Sequence, residues 1–126
     1  MNATKAKELL SLVPASDFIA GEFTNGKNKC CAIGHLYRLS SGDPKNYALH
    51  NCVELTSRSP ITKFVREQVN TFLIKFHDVQ IHEDTRLEYI GGLAWINNSN
   101  EYNGYTEVSI KDRVMHLLDD MIEQGY

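Results

Sequence analysis

The chain has no long apolar run: its hydrophobic residues come a few at a time, far short of the roughly 20 needed to span a bilayer. A membrane helix is therefore not expected. Charge of one sign is also missing. Lys and Arg total 13 against 16 Asp and Glu, interspersed, for a formal net charge of -3. Without a basic stripe to neutralise phosphates, nucleic-acid binding is disfavoured. Cysteine is scarce, with 3 residues of which Cys30 and Cys31 are adjacent. An odd, clustered set does not make a disulfide framework and fits reduced thiols in a cytoplasmic setting. Residues 1–8 lack the apolar stretch of a secretory signal and read as the first turn of a helix. Only 3 prolines occur, at positions 14, 44 and 60, and each falls where a helix ends or begins.

What is present is ordinary globular material, 42% hydrophobic and 23% charged over 126 residues, enough for one domain with its own core. Ala6, Leu9, Leu10 and Val13 form an amphipathic stripe over residues 3–13, stopped by Pro14. Asn25-Gly26 lies between two apolar-rich segments, which signals a tight turn with or without a short ladder. Residues 29–39 then read as a short buried helix. Asp43-Pro44 and Ser59-Pro60 each pair an N-cap residue with the proline favoured at the first helical position. They predict helices over 44–56 and 60–77, the second on the stripe Ile61, Phe64, Val65, Gln68, Phe72, Leu73 and Phe76. Residues 78–92 read as mostly irregular, Gly91-Gly92 as a break and 97–105 as loop composition. Ser109 caps a last helix carrying Ile110, Val114, Leu117, Leu118, Met121 and Ile122. The expected fold is mainly α: a compact single-domain helical bundle with a small β-hairpin or turn element. Its first, fourth and last helices surround residues 30–35.

The segment 29–39 concentrates the groups with chemistry. Cys31 and His35 stand four apart on one helical face, as two metal ligands or a thiol and its base would. A cysteine at a helix N-terminus feels the positive end of the backbone dipoles, which favours its thiolate. Cys31, His35 and Glu22 are thus the catalytic candidates, with His50, His77 or His116 as other possible partners of the thiol. Free cysteines are more commonly buried packing groups, however. No Cys-x-x-Cys or His-x-x-x-His pair occurs, so neither a metal nor another cofactor is expected.

Ile19-Ala20-Gly21-Glu22-Phe23, Asn25-Gly26, Cys31-Ala32-Ile33-Gly34-His35-Leu36 and Ala94-Trp95-Ile96-Asn97-Asn98 occur in that order before the amphipathic helix. Together they resemble an uncharacterised small bacterial and phage domain family of unknown function, with a Gly-containing turn, a Cys-x-x-Gly-x-Leu helix, a Trp-Asn element and a last helix. The resemblance implies a mostly helical fold in a phage or mobile-element setting and brings no activity. Where that family reads Trp-Asn-Asp, this chain inserts Ile96 and has no acid. Trp95, Asn97, Asn98, Tyr102 and Tyr105 have the indole, amides and phenols of a binding surface. The sequence therefore reads as a cytoplasmic protein-interaction domain with an unidentified protein partner. A cysteine-dependent enzyme using Cys31 is the alternative, and small-molecule binding beside His35 and Trp95 a third reading.

Overall fold

Asn2 starts the first helix. Its side chain accepts the Lys5 N–H at 2.9 Å, and α1 runs over Ala3–Ser11 before Pro14 turns the chain into a 3-10 turn, Ala15–Asp17. The structure is a computed structural model that describes residues 1–22, 24–25, 27–40, 60–77, 91–98, 101–102, 105–106 and 108–126. The helix expected over 44–56 and the irregular stretch 78–90 lie outside the described residues. Among these, the order continues with α2 (Ala32–Ser40), α3 (Pro60–Phe64), a π turn (Val65–Val69) and α4 (Asn70–His77). It ends with α5 (Gly91–Asn98), strands β1 (Glu101–Tyr102) and β2 (Tyr105–Thr106), and α6 (Ile110–Glu123). The fold is mainly helical, as its periodicity predicts.

The α1 and α6 helices lie antiparallel along each other. Ala3 N–H meets the Tyr126 carbonyl at one end, Lys7 pairs with Asp119 in the middle, and the Lys111 ammonium donates to the Val13 carbonyl at 2.7 Å at the other. Between them Ala3, Ala6 and Leu10 face Val114, Leu117, Leu118 and Met121 in one buried core. The α6 ends follow from their residues. Ser109 Oγ accepts the Asp112 N–H at 3.1 Å, and Gly125 adopts φ +88° so that Gly125 and Tyr126 donate back to Ile122 and Met121. That backward pairing satisfies two carbonyls otherwise orphaned at the helix end, and the left-handed φ suits glycine.

The rod 60–77 is not uniform. In the π turn the Asn70 N–H bonds to the Val65 carbonyl, five residues back, so one extra residue is taken up before α4. Val65 and Val69 stay buried above and below the widened turn, and Asn70 is turned inward with Phe72 and Leu73. No helix among the described residues is long and apolar enough to cross a membrane.

Three expectations are corrected. The helix placed at 29–39 begins at Ala32, because Cys30 is held extended by bridges to Phe18 and Thr24. The tight turn expected around Asn25 is present, its Oδ1 accepting the N–H groups of Lys27, Asn28 and Lys29, and a small antiparallel hairpin lies at 101–106 in register Glu101↔Thr106 and Tyr102↔Tyr105. Gly91-Gly92 opens α5 instead of breaking the chain, and Asn97 and Asn98 form that helix's last turn. Packing against α2 comes from α1, α3 and α5, while α6 packs chiefly on α1. Ser109→Ala should lower stability by about 1 kcal/mol, the usual loss for an N-cap, read as a reduced midpoint of urea unfolding at unchanged slope.

Candidate functional site

Two helices begin without a capping residue of their own. The residues that precede α2 and α5 in the sequence are Cys31 and Ile90, neither with the side-chain oxygen that normally receives a first-turn N–H. Both donors are met from another helix. Asn97 Oδ1, on α5, accepts the Ala32 N–H at 2.9 Å, and Asn70 Oδ1, on α4, accepts the Gly92 N–H at 3.1 Å. Cys31 Sγ adds a weak acceptor for the Gly34 N–H at 3.5 Å.

Asn97 does more than cap. Its Nδ2 donates to the Ile19 carbonyl at 2.9 Å and to Asn98 Oδ1 at 3.1 Å, and Asn98 Oδ1 in turn accepts the Gly21 N–H at 2.9 Å. The loop through residues 17–21 is thereby tied to the end of α5 and the start of α2 at once. The C-terminal end of α5 is closed by Arg113 of α6. Its guanidinium reaches the carbonyls of Ile96 at 3.4 Å, Asn97 at 3.1 Å and Val108 at 2.7 Å. A buried cation costs desolvation, which draws the Arg113 pKa down; the carbonyls and the negative helix end offset that cost. No buried side-chain nitrogen or oxygen lacks a partner among the described residues.

His35 lies beside this knot, fully buried, with its ring 4.7 Å from that of Phe18. Nε2 sits 2.8 Å from the Asp17 carbonyl, and Arg38 Nε donates to Nδ1 at 2.9 Å. A carbonyl can only accept, and an arginine can only donate. The imidazole is therefore neutral, with its hydrogen on Nε2.

The catalytic candidates do not assemble. Cys31 is 7% exposed, and burial pushes its thiol up to about 11, against which the Gly34 and Ile33 N–H groups pull only partly. Its helix-start position thus supplies no thiolate at neutral pH, because loss of water outweighs the dipole. His35 is committed to Asp17 and Arg38, and Glu22 is exposed on its loop. His77 faces Tyr102, and His50 lies outside the described residues. No group of three or more His, Cys, Asp or Glu suited to a metal ion occurs among the described residues.

The binding candidates separate into distinct roles. Asn97 is 0% exposed and Tyr102 3%. The Tyr102 hydroxyl donates to Asp120 Oδ2 at 2.7 Å and lies 3.2 Å from His77 Nε2, joining β1 to α6 and α4; burial, then Asp120, raises its pKa. Tyr105 sits opposite Tyr102 in the hairpin, with its side chain outside the described set. Trp95 is an open aromatic surface, 51% exposed, one turn before the exposed Asn98.

Sequence reasoning missed Arg38, Asn70 and Arg113. A usable signal existed for Asn70: a helix start without Ser, Thr, Asp or Asn implies a cap from elsewhere, and an Asn on a neighbouring helix can supply it. Comparison with known proteins found no matching family model, curated relative or solved structure, so the resemblance stands on its motifs alone.

Asn97→Ala leaves the Ala32 donor and the Ile19 acceptor without partners, and each such buried group costs about 1–3 kcal/mol. Unfolding in urea should show a loss of roughly 2–4 kcal/mol on that basis, against well under half of it for Asn98→Ala, whose side chain is exposed. Mass-mapped alkylation at neutral pH should leave Cys30 and Cys31 unmodified until denaturant unfolds the chain; prompt labelling of Cys31 in the native state would contradict its burial.

Proposed function

We infer that this chain is a protein-interaction module that engages a protein partner through the Trp95 face of α5. The single observation behind this reading is that Trp95 is half exposed on a helix whose other large apolar residues, Leu93 and Ile96, are fully buried. The helix is fixed at its start by Asn70 and at its end by Arg113. A rigidly held, water-facing indole offers large contact area at little entropic cost, the property that enriches tryptophan at the centres of interfaces. The reading narrows the surface anticipated from the sequence. Trp95 contributes contact, Asn98 borders it, and Asn97 and Tyr102 serve beneath as scaffold. Nothing in the geometry favours the Cys31 enzyme, whose thiol is protonated and whose neighbouring histidine is engaged elsewhere.

Trp95→Ala should leave the urea midpoint within about 0.5 kcal/mol of the parent, as for other exposed positions, and should abolish capture of the partner recovered by the parent protein. The tryptophan emission of the parent should shift to shorter wavelength when that partner is added. Loss of folding in Trp95→Ala, or capture that persists undiminished, would remove the basis for the proposal.

A further inference from the structure

The outward face of α5 carries polar groups that the fold leaves unused. Trp95 and Asn98 stand three apart on that face and are both exposed, with about 5–6 Å between Cβ atoms at such a spacing. Asn98 Oδ1 is fully engaged, accepting from the Gly21 N–H at 2.9 Å and from Asn97 Nδ2 at 3.1 Å. No bond among the described residues engages its Nδ2 or the Trp95 indole N–H. A lysine lies over the Phe76 ring, 5.3 Å from its centroid, and among the described residues no cation lies over Trp95.

The bond to Gly21 also fixes an acid beside this face. Gly21 takes φ +85°, a left-handed turn that other residues adopt only with strain, and its N–H is clamped to the last turn of α5. Glu22 follows, one Cα step of about 3.8 Å further on, and is exposed. Among the described residues Glu22 makes no ion pair, although Lys27 and Lys29 belong to the same loop. Arg113, at the end of α5, is buried and committed to three carbonyls. An open indole beside an unpaired carboxylate is complementary to a cation: the ring face attracts it and the carboxylate neutralises it.

We propose that the Trp95 face takes a basic segment of its protein partner, with an arginine side chain lying over the indole and its charge against Glu22. This rests on the interaction reading above and specifies the chemistry of the partner. Arginine suits the site better than lysine, because a planar guanidinium stacks on an indole while its N–H groups fork onto a carboxylate. The indole N–H and Asn98 Nδ2 then donate to the main-chain carbonyls that flank the arginine in an extended segment. An acidic segment would set a like charge against Glu22, and a purely apolar one would cover that carboxylate without pairing it.

The test uses a fluorescently labelled peptide, Gly-Ser-Arg-Gly-Arg-Ser-Gly, and the same peptide with citrulline in place of both arginines. Binding to the full chain is followed by anisotropy, and the emission of the single tryptophan reports whether the peptide reaches Trp95. The arginine peptide should bind saturably and perturb that emission. Citrulline keeps the shape and loses the charge, and should weaken binding about tenfold, as expected for loss of an exposed ion pair together with a cation–π contact. Glu22→Gln should weaken it roughly 3- to 5-fold, whereas Glu8→Gln, which removes the same charge from α1, should change it by less than about 2-fold. No binding of the arginine peptide at millimolar concentration, equal binding of the citrulline peptide, or equal losses in the two glutamate variants overturns the basic partner. Capture of the partner separates this from the reading beneath it. Capture undiminished in Glu22→Gln but lost in Trp95→Ala excludes the basic segment and leaves the Trp95 interface standing; capture retained in Trp95→Ala removes both.

Discussion

One carboxamide holds the middle of this fold together. Asn97 receives the first N–H of α2, donates to the Ile19 carbonyl and steadies Asn98, so a single side chain sets the positions of two helices and the loop between them. A carboxylate could accept as well but could not donate to Ile19, and an aliphatic residue could do neither. The amide is therefore a chemical requirement of the junction, and its complete burial makes each of its bonds count for more than it would in water.

The same device recurs. Asn70 starts α5 as Asn97 starts α2, and Arg113 closes the end of α5 with carbonyl bonds that a local Gly turn supplies in α6. Helices α1 and α6 are self-contained in this respect, each with an N-cap side chain of its own. Helices α2 and α5 each have a first-turn donor met by a side chain of another helix. These starts are thus completed only by tertiary closure, whereas α1 and α6 carry their N-caps within their own sequence.

That division explains what could be read in advance. Helices with a full grammar of cap, stripe and stop, such as 3–11 and 110–123, announce themselves through Asn2, Ser109 and the apolar spacing. Helices α2 and α5 are defined by residues distant in sequence, so local pattern alone starts α2 too early and reads Asn97 and Asn98 as loop. Asn25 makes the turn that its dipeptide signals, and the same dipeptide, Asn103-Gly104, lies between the strands that pair. Burial of residues 30–36 was legible from their small and apolar character. The state of the Cys31 thiol was not, because a helix-start position argues for a thiolate and only the surrounding packing shows that desolvation prevails. Tyr102 misled for a related reason: a polar, asparagine-rich neighbourhood looks solvated until Asp120 and His77 are found around the hydroxyl.

The widened turn at Val65–Val69 bears on how this chain can vary. Each residue added to or removed from a helix rotates everything beyond it by about 100°. The surplus residue in the π turn is what brings the Asn70 amide round to Gly92. Side chains along the outer face of that stretch are open to exchange, since Arg66 and Glu67 meet water. Its length is not: an insertion or deletion there would swing α4 away from the helix it caps, so this part of the molecule is ruled by residue count more than by residue identity.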